Sequence, residues 1–159
     1  MNKLFLSLLF SFSCCLACKS QTNHDAIPTG TITAYIDGVP ASFNIAAIAG
    51  LPKRTNGYVI RGLKSTSKDA DIIAIGVESR NQPIGAGSYE WGNSSYTASI
   101  QLVQRGKNVS GYASTKATIA ITVIQNGSIQ GTFTGVLKGS SGPDIKITNG
   151  KFNVKIESK

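Results

Sequence analysis

Residues 117–137 read ATIAITVIQNGSIQGTFTGVL, and this stretch decides the fold class of the chain. Apolar side chains occupy every second position up to Val123, and an alternating pattern resumes at Ile129 after Asn126-Gly127. A period of two is typical of a β-strand with one buried face. Asn-Gly favours a type I′ hairpin turn, because both central residues of that turn need positive φ. The stretch therefore predicts an antiparallel hairpin.

The second strand of this hairpin carries two glycines on its apolar face. Gly131 and Gly135 alternate with Ile129, Phe133 and Leu137. Glycine within a strand often marks a bulge, a bend or a close approach of another part of the backbone. We therefore expect one of these features along this strand.

The β pattern continues on both sides of the hairpin. Residues 145–156 alternate around Asn149-Gly150, which predicts one more hairpin turn, and residues 32–38 (ITAYIDG) predict a strand that ends in an Asp-Gly turn. Residues 57–63 predict a further strand, and residues 96–104 also alternate. Since no stretch has a helical period and turn residues recur at short intervals, the chain is predicted to be all-β.

Residues 71–77 (DIIAIGV) are apolar on both faces of the predicted strand. Such a strand needs cover on both sides. This favours an antiparallel β-sandwich of roughly 8–10 strands at the usual strand lengths. Alternation does not show how a sheet closes, so an up-and-down, lipocalin-like β-barrel is the alternative.

The first residues have the pattern of an export signal. Lys3 precedes an apolar run at residues 4–12, and Ala17 stands directly before Cys18. The run is too short to span a bilayer as a mature helix, and the order of charge, apolar run and small residue is that of a secretory signal. With cysteine at the cleavage point, the leader resembles a bacterial lipoprotein signal.

That resemblance implies a division of the chain into three parts. We expect a signal peptide at residues 1–17, a polar tether at 18–29 with a lipid on Cys18, and one antiparallel β domain at 30–159. The protein would then be anchored by its lipid to a bacterial membrane in the cell envelope. The outer membrane is our first choice, and the face of that membrane is left open.

Three short stretches carry a wider resemblance: residues 32–38 (ITAYIDG), 131–135 (GTFTG) and 147–152 (ITNGKF). Together with the leader, they resemble small β-rich lipoproteins of Bacteroidota-type bacteria, whose function is unknown. The resemblance implies a β-rich protein of the cell envelope. It supplies no catalytic residues.

Several kinds of catalytic and metal site are excluded from the predicted domain by composition. All three cysteines lie at or before Cys18, and the only histidine is His24 in the tether. The domain thus lacks disulfides, thiolate nucleophiles, histidine zinc sites and a Ser-His-Asp triad. The few acidic residues form no loop dense enough for calcium. We therefore predict that the protein is not an enzyme and has no metal or cofactor.

The chain is basic. Removing residues 1–17 takes away one of 16 Lys and Arg residues and none of the 8 Asp and Glu residues, which leaves a net charge of +7. Basic proteins attract anionic partners. The positive residues are scattered without a nucleic-acid signature, so we exclude nucleic acid as a partner. The simpler interpretation of the lysines is solubility and protection of edge strands.

Aromatic residues in a Gly- and Ser-rich region form the candidate ligand site. Tyr89, Trp91 and Tyr96 combine apolar rings with polar groups, and Glu90 and Asn93 could hydrogen-bond to sugar hydroxyls. The alternative is that Trp91 is buried at one end of the domain, since tryptophan is highly buried on average.

These patterns lead to one functional expectation. The protein is predicted to be a non-catalytic cell-envelope lipoprotein with a binding or structural role. Its expected partners are the membrane, through the lipid, and an envelope glycan or another envelope protein. Two alternatives stay open: a glycan-binding module that uses the loop aromatics, and a carrier of a small apolar ligand inside a β-barrel.

Overall fold

The computed structural model describes residues 30–50, 56–105, 109–139 and 142–157. The signal peptide, Cys18 and the tether lie outside these residues. The described part contains ten strands and no helix, so the all-β prediction is confirmed. The strands are β1 (Thr31–Ile36), β2 (Val39–Ser42), β3 (Ile45–Gly50), β4 (Asn56–Leu63), β5 (Ile72–Ser79), β6 (Gly87–Glu90), β7 (Thr97–Gln104), β8 (Ser110–Gln125), β9 (Ser128–Gly139) and β10 (Ile145–Ile156).

Two of the predicted hairpin turns are confirmed. Asp37 and Gly38 join β1 to β2 with φ angles of 48° and 81°, and Asn126 and Gly127 join β8 to β9 with φ angles of 51° and 68°. Both central residues of each turn therefore have positive φ, as a type I′ turn requires.

The predicted turn at Asn149-Gly150 is wrong, because β10 runs through it without a break. Asn149 does have a positive φ of 51°. The register between β10 and β9 shifts between Ile147 and Gly150, and this irregularity absorbs the unusual backbone. The same Asn-Gly chemistry thus makes a bulge here rather than a reversal.

Seven strands form a closed ring in the order β10, β3, β4, β5, β7, β8 and β9, which returns to β10. The closure depends on a short parallel contact, in which Lys155 and Ile156 of β10 pair with Ile48 and Ala49 of β3. The closed ring fits the barrel alternative better than the sandwich that we ranked first. It is not a pure up-and-down barrel, because this one pairing is parallel.

The remaining strands, β1, β2 and β6, extend one wall of the barrel. β1 pairs with residues 147–153 of β10, on the edge where β3 later pairs with Lys155 and Ile156. In the same way, β7 pairs with residues 110–113 of β8, and β6 pairs with residues 118–121. Because β8 and β10 are long, each can pair with two shorter strands along one edge, and the wall becomes a six-stranded sheet in the order β2, β1, β10, β9, β8, β6.

Inward-facing apolar side chains fill the described interior of the barrel. Each large side chain that is removed from water contributes roughly 1.5–3 kcal/mol, so this core is the main source of stability. The largest fully buried side chains come from both walls: Phe43, Phe133, Ile32, Ile60, Ile73, Ile75, Ile100, Leu102, Ile119, Ile129, Leu137 and Ile147.

Two glycines let aromatic rings lie directly on the neighbouring backbone. A Cβ on Gly131 would meet the carbonyl oxygen of Ala120 and the ring of Phe152, and a Cβ on Gly150 would meet the carbonyl oxygen and ring of Phe133. The two phenylalanine rings are stacked with centroids 6.4 Å apart. Of the three features expected along this strand, a close approach is present at Gly131, and its partner is an aromatic ring of the adjacent strand.

Candidate functional site

A polar cleft of about 410 Å³ lies where β5 ends and β7 begins. Glu78 and Thr97 face each other in the β5–β7 ladder, and the chain on either side of this pair builds the cleft. We call it the polar cleft. Its lining consists of Glu78, Ser79, Arg80, Asn81, Asn93, Ser94, Ser95, Tyr96 and Thr97.

Ser79 joins the two sides of the polar cleft. Its side chain is only 3% exposed, and its hydroxyl donates a hydrogen bond of 3.0 Å to the carbonyl oxygen of Ser95. The hydroxyl oxygen of Ser79 accepts hydrogen bonds of 3.3 Å from the backbone N–H groups of Asn81 and Gln82. Since a buried hydroxyl is stable only when it is hydrogen-bonded, this residue fixes the loop after β5 against the turn before β7.

The turn between β6 and β7 is held by its own backbone contacts. Trp91 donates its backbone N–H to the carbonyl oxygen of Ala117 on β8 over 2.8 Å. Gly92 has a φ of 84°, a conformation that glycine adopts without strain. Asn93 accepts a 2.8 Å hydrogen bond from the N–H of Ser95 through its side-chain oxygen, which is an Asx turn.

Tyr89 and Tyr96, two of the three predicted aromatic ligand residues, contact each other and the core. Their ring centroids are 5.0 Å apart with an edge-to-face angle of 87°, and both rings pack against the apolar core. Tyr89 donates its hydroxyl to the carbonyl oxygen of Gly85 over 2.9 Å, and the hydroxyl of Tyr96 accepts the N–H of Glu90 over 3.2 Å. This pair holds the loops in place, although Tyr96 also reaches the lining of the polar cleft.

Trp91, the third predicted residue, is 52% exposed. The alternative interpretation, in which this tryptophan is buried at one end of the domain, is therefore wrong. The exposed ring lies on the turn that also supplies residues 93–96 to the cleft. A large exposed aromatic ring beside polar groups is available to cover an apolar ligand face.

Arg80 and Asn81 supply a cationic group and an amide to the lining, and neither residue was predicted as part of a site. Residues 79–83 (SRNQP) show only the composition of a loop. Their closeness to Asn93 follows from the pairing of β5 with β7, and no local pattern carries that information. Asn93, predicted as a hydrogen-bonding residue beside the aromatics, lies in the lining, whereas Glu90, predicted with it, does not.

The polar cleft can hydrogen-bond a ligand rich in hydroxyl groups. A guanidinium donates, a carboxylate accepts, and amides and hydroxyls do both. Within the described ranges, no group of three or more His, Cys, Asp and Glu side chains could hold a metal ion. The same residues contain no helix long and apolar enough to cross a membrane.

The carboxylate of Asp71, at the other end of β5, has structural partners. Asp71 accepts the backbone N–H of Arg105 over 3.1 Å and an ammonium hydrogen of Lys64 over 3.4 Å. Asp69 donates its backbone N–H to the hydroxyl of Ser67 over 3.2 Å in a turn. These contacts fasten the β4–β5 connection to the end of β7.

Comparison with known proteins identifies no relative of this chain. No protein-family model matches the chain, no curated protein is significantly similar to it, and no solved structure matches its fold.

Proposed function

We propose that the protein is a non-catalytic, lipid-anchored binding protein of the bacterial cell envelope, and that its ligand is a glycan. The anchor is Cys18, whose position after an apolar leader supports the proposal. More than one acyl chain would hold it stably at the outer membrane, because a single chain binds only marginally. The leader and the β-rich domain also support membership among the β-rich lipoproteins of Bacteroidota-type bacteria.

The observation that carries the binding role is the polar cleft, together with an exposed tryptophan on the turn that supplies part of its lining. Arg80, Asn81 and Asn93 offer hydrogen bonds to sugar hydroxyls, and the ring of Trp91 offers an apolar surface for a sugar face. Ser79 and the two tyrosines hold these groups in place before a ligand arrives, which lowers the entropic cost of binding.

The carrier alternative receives less support from the geometry. A carrier needs an apolar lumen, and the described interior is occupied by fully buried side chains from both walls. The glycan alternative is favoured because its residues lie on the surface and surround a cleft.

A glycan panel tests the cleft. The full chain in nonionic detergent is titrated with neutral and acidic oligosaccharides while fluorescence of Trp91, the only tryptophan, is recorded. We expect a change for at least one oligosaccharide, and we expect Arg80→Ala to weaken that binding about tenfold because it removes a charged hydrogen-bond donor. Arg61→Ala, an exposed arginine on β4 outside the cleft, is the matched control and should bind as the unaltered chain does.

An unchanged spectrum with every oligosaccharide, together with no heat of binding by calorimetry, would contradict the glycan assignment. Turnover of any substrate that disappears in Asp71→Ala or Glu90→Ala would contradict the non-catalytic assignment.

A labelling experiment tests the anchor separately. Cells expressing the full chain are fed a radiolabelled fatty acid, and the label should appear in the protein and be lost in Cys18→Ala. Label that persists in Cys18→Ala would show that Cys18 is not the acylated residue.

A further inference from the structure

The outer side of the six-stranded sheet is an ordered polar surface. One row of side chains crosses all six strands, because each residue in it pairs directly with the next. At the usual spacing between strands the row is about 24 Å long. From β2 to β6, it consists of Ser42, Thr33, Lys151, Thr132, Ala120 and Ser88. We call the outer side of this sheet the hydroxyl-lysine face.

A second row runs beside the first. Tyr35 lies opposite Thr148 across β1 and β10, and Thr134 lies opposite Thr118 across β9 and β8. Tyr35 is 43% exposed, and both Thr118 and Thr134 are exposed. Threonine hydroxyls both donate and accept, so the two rows form a surface of alternating hydrogen-bonding groups.

The hydroxyl-lysine face is grooved where the β10 bulge interrupts the ladder. One depression of about 550 Å³ lies between Tyr35, Asn149 and Lys151, and another of about 210 Å³ lies between Lys116 and Lys146. Thr134 lines both, so the two depressions adjoin each other. Together they give an extended groove with lysines along its length and Tyr35 at one end.

Five lysines lie on the strands of this face: Lys116 on β8, Lys138 on β9, and Lys146, Lys151 and Lys155 on β10. All five are exposed, and in the described part of the chain none of them forms an ion pair. Glu90 is the acidic residue within the two rows, while Asp37 and Asp144 lie near one end beside Lys146. The surface therefore has an excess of positive charge.

Edge protection does not explain Lys151 and Lys155. Both pair with a neighbouring strand on each side, whereas the edge strands β2 (VPAS) and β6 (GSYE) contain no lysine. A lysine protects an edge only when it lies on it, so these two lysines do not guard an edge strand.

We propose that the hydroxyl-lysine face binds an acidic polysaccharide, laid along the groove from Tyr35 to Lys116. The lysines pair with the carboxylates of the chain, and the threonines hydrogen-bond to its hydroxyls. The ring of Tyr35 covers one sugar face. This surface shares no residue with the lining of the polar cleft, so it is a second binding site.

Two other anionic partners fit the surface less well. A membrane surface is bound through apolar side chains that enter the lipid as well as through lysines, and these two rows offer only Tyr35 as a large exposed apolar group. Single-stranded nucleic acid is bound by successive stacking rings, and the rows contain one.

The test uses the full chain in nonionic detergent with alginate, a carboxylated polysaccharide, as the probe and dextran as its neutral counterpart. We expect salt-dependent binding to alginate and none to dextran. Lys116→Gln/Lys146→Gln/Lys151→Gln should weaken alginate binding about tenfold, which is about 0.5 kcal/mol for each exposed contact. Lys64→Gln/Lys68→Gln/Arg105→Gln removes the same charge elsewhere and should change it less than twofold.

Equal losses in the two triple variants would assign the attraction to net charge and overturn the proposal. Binding to anionic vesicles or to DNA with no binding to alginate would also overturn it. Thermal unfolding of both triple variants checks that each has kept its fold. Tyr35→Ser, at an exposed position, should further weaken alginate binding without changing its salt dependence.

Discussion

The two walls of the barrel share one core but differ on their outer sides. On β8, β9 and β10 the outward side chains are mostly threonine and lysine. On β4, β5 and β7 the outward side chains combine half-buried apolar groups with polar ones such as Arg61, Ser99 and Gln101, around a groove of about 450 Å³. We call this second surface the apolar face; its apolar members are Val59, Leu63, Ile72, Ala74 and Val103.

The charges of the two walls differ in the same way. The ammonium group of Lys64 pairs with Asp71 at one end of β5, whereas the ammonium groups of the lysines on β8 to β10 form no ion pair in the described part of the chain. Packing requires only the inward half of each strand, so the outward half is free to take on a binding role. The wall formed by β8, β9 and β10, which we call the polar wall, is hydrophilic on its outer side, whereas the wall formed by β4, β5 and β7 carries apolar and polar side chains together.

The largest expected losses of stability come from substitutions in the apolar core that the two walls share. Phe133→Ala on β9 should cost about 3–5 kcal/mol and Ile75→Ala on β5 about 2–5 kcal/mol, because each empties a fully buried position in one core. Urea unfolding measures both losses. Thr132→Ala, outward on β9, is the control and should cost under about 0.5 kcal/mol. A cost near zero for Ile75→Ala would show that the two walls do not share a core.

The second prediction compares the loss of stability on substituting one glycine in each wall. Gly131→Ala should cost about 3 kcal/mol or prevent folding, because its Cβ meets the backbone of Ala120 and the ring of Phe152. Gly76→Ala places its Cβ on the outer side of β5, 3.1 Å from the hydroxyl of Ser99 and 3.7 Å from the carboxylate of Glu78. Those side chains can move, so this variant should stay within about 1 kcal/mol of the unaltered chain.

Thermal unfolding in parallel distinguishes the two glycine variants. Equal stability of both would mean that the phenylalanine ring does not lie on Gly131. The outcome also tests the bulged geometry of the polar wall, since the grooves of the hydroxyl-lysine face depend on it.

The polar wall was largely predictable from the sequence, because its determinants are local. Alternation and two turn pairs identify β1, β8 and β9, and the inward face of β9 with its two glycines was expected. The bulge at Asn149 was mistaken for a turn, because an Asn-Gly pair is compatible with both. The bulge is selected by the pairing of β10 with β9 on one side and with β1 on the other.

Barrel closure and the polar cleft were less predictable, because both depend on pairing between distant residues. The ring closes through two parallel pairs near Lys155, and no local pattern specifies them. Arg80 and Asn93 line the same cleft because β5 pairs with β7 in this register. The aromatic residues were found because tyrosine and tryptophan stand out in a Gly- and Ser-rich region, but their division into a structural pair and an exposed ring depends on hydrogen bonds of the folded chain.

A smaller effect tests the apolar face. Ile72→Thr removes apolar surface from a half-buried outward position and should cost about 1 kcal/mol. Urea unfolding measures it, with Thr134→Ala on the opposite wall as the control at under about 0.5 kcal/mol. A loss near 3 kcal/mol would mean that Ile72 is fully buried in the folded protein. The two outer surfaces would then differ in solvent exposure as well as in composition.

The smallest expected effects have opposite signs on the two walls. Asp71→Asn removes the negative charge that lies 3.4 Å from the ammonium nitrogen of Lys64. It should lower the free energy of unfolding by about 0.5 kcal/mol. Lys116→Gln/Lys146→Gln/Lys151→Gln relieves repulsion among unpaired charges and should raise it by a similar amount, about 0.5 kcal/mol. Both differences should shrink as salt is raised from 10 mM to 1 M, because the Debye length falls from about 30 Å to 3 Å. Urea unfolding at the two salt concentrations measures them. If the lysine variant were instead less stable at low salt, these lysines would stabilise the fold. Their unpaired charge would then no longer support a binding role for an anionic ligand on this wall.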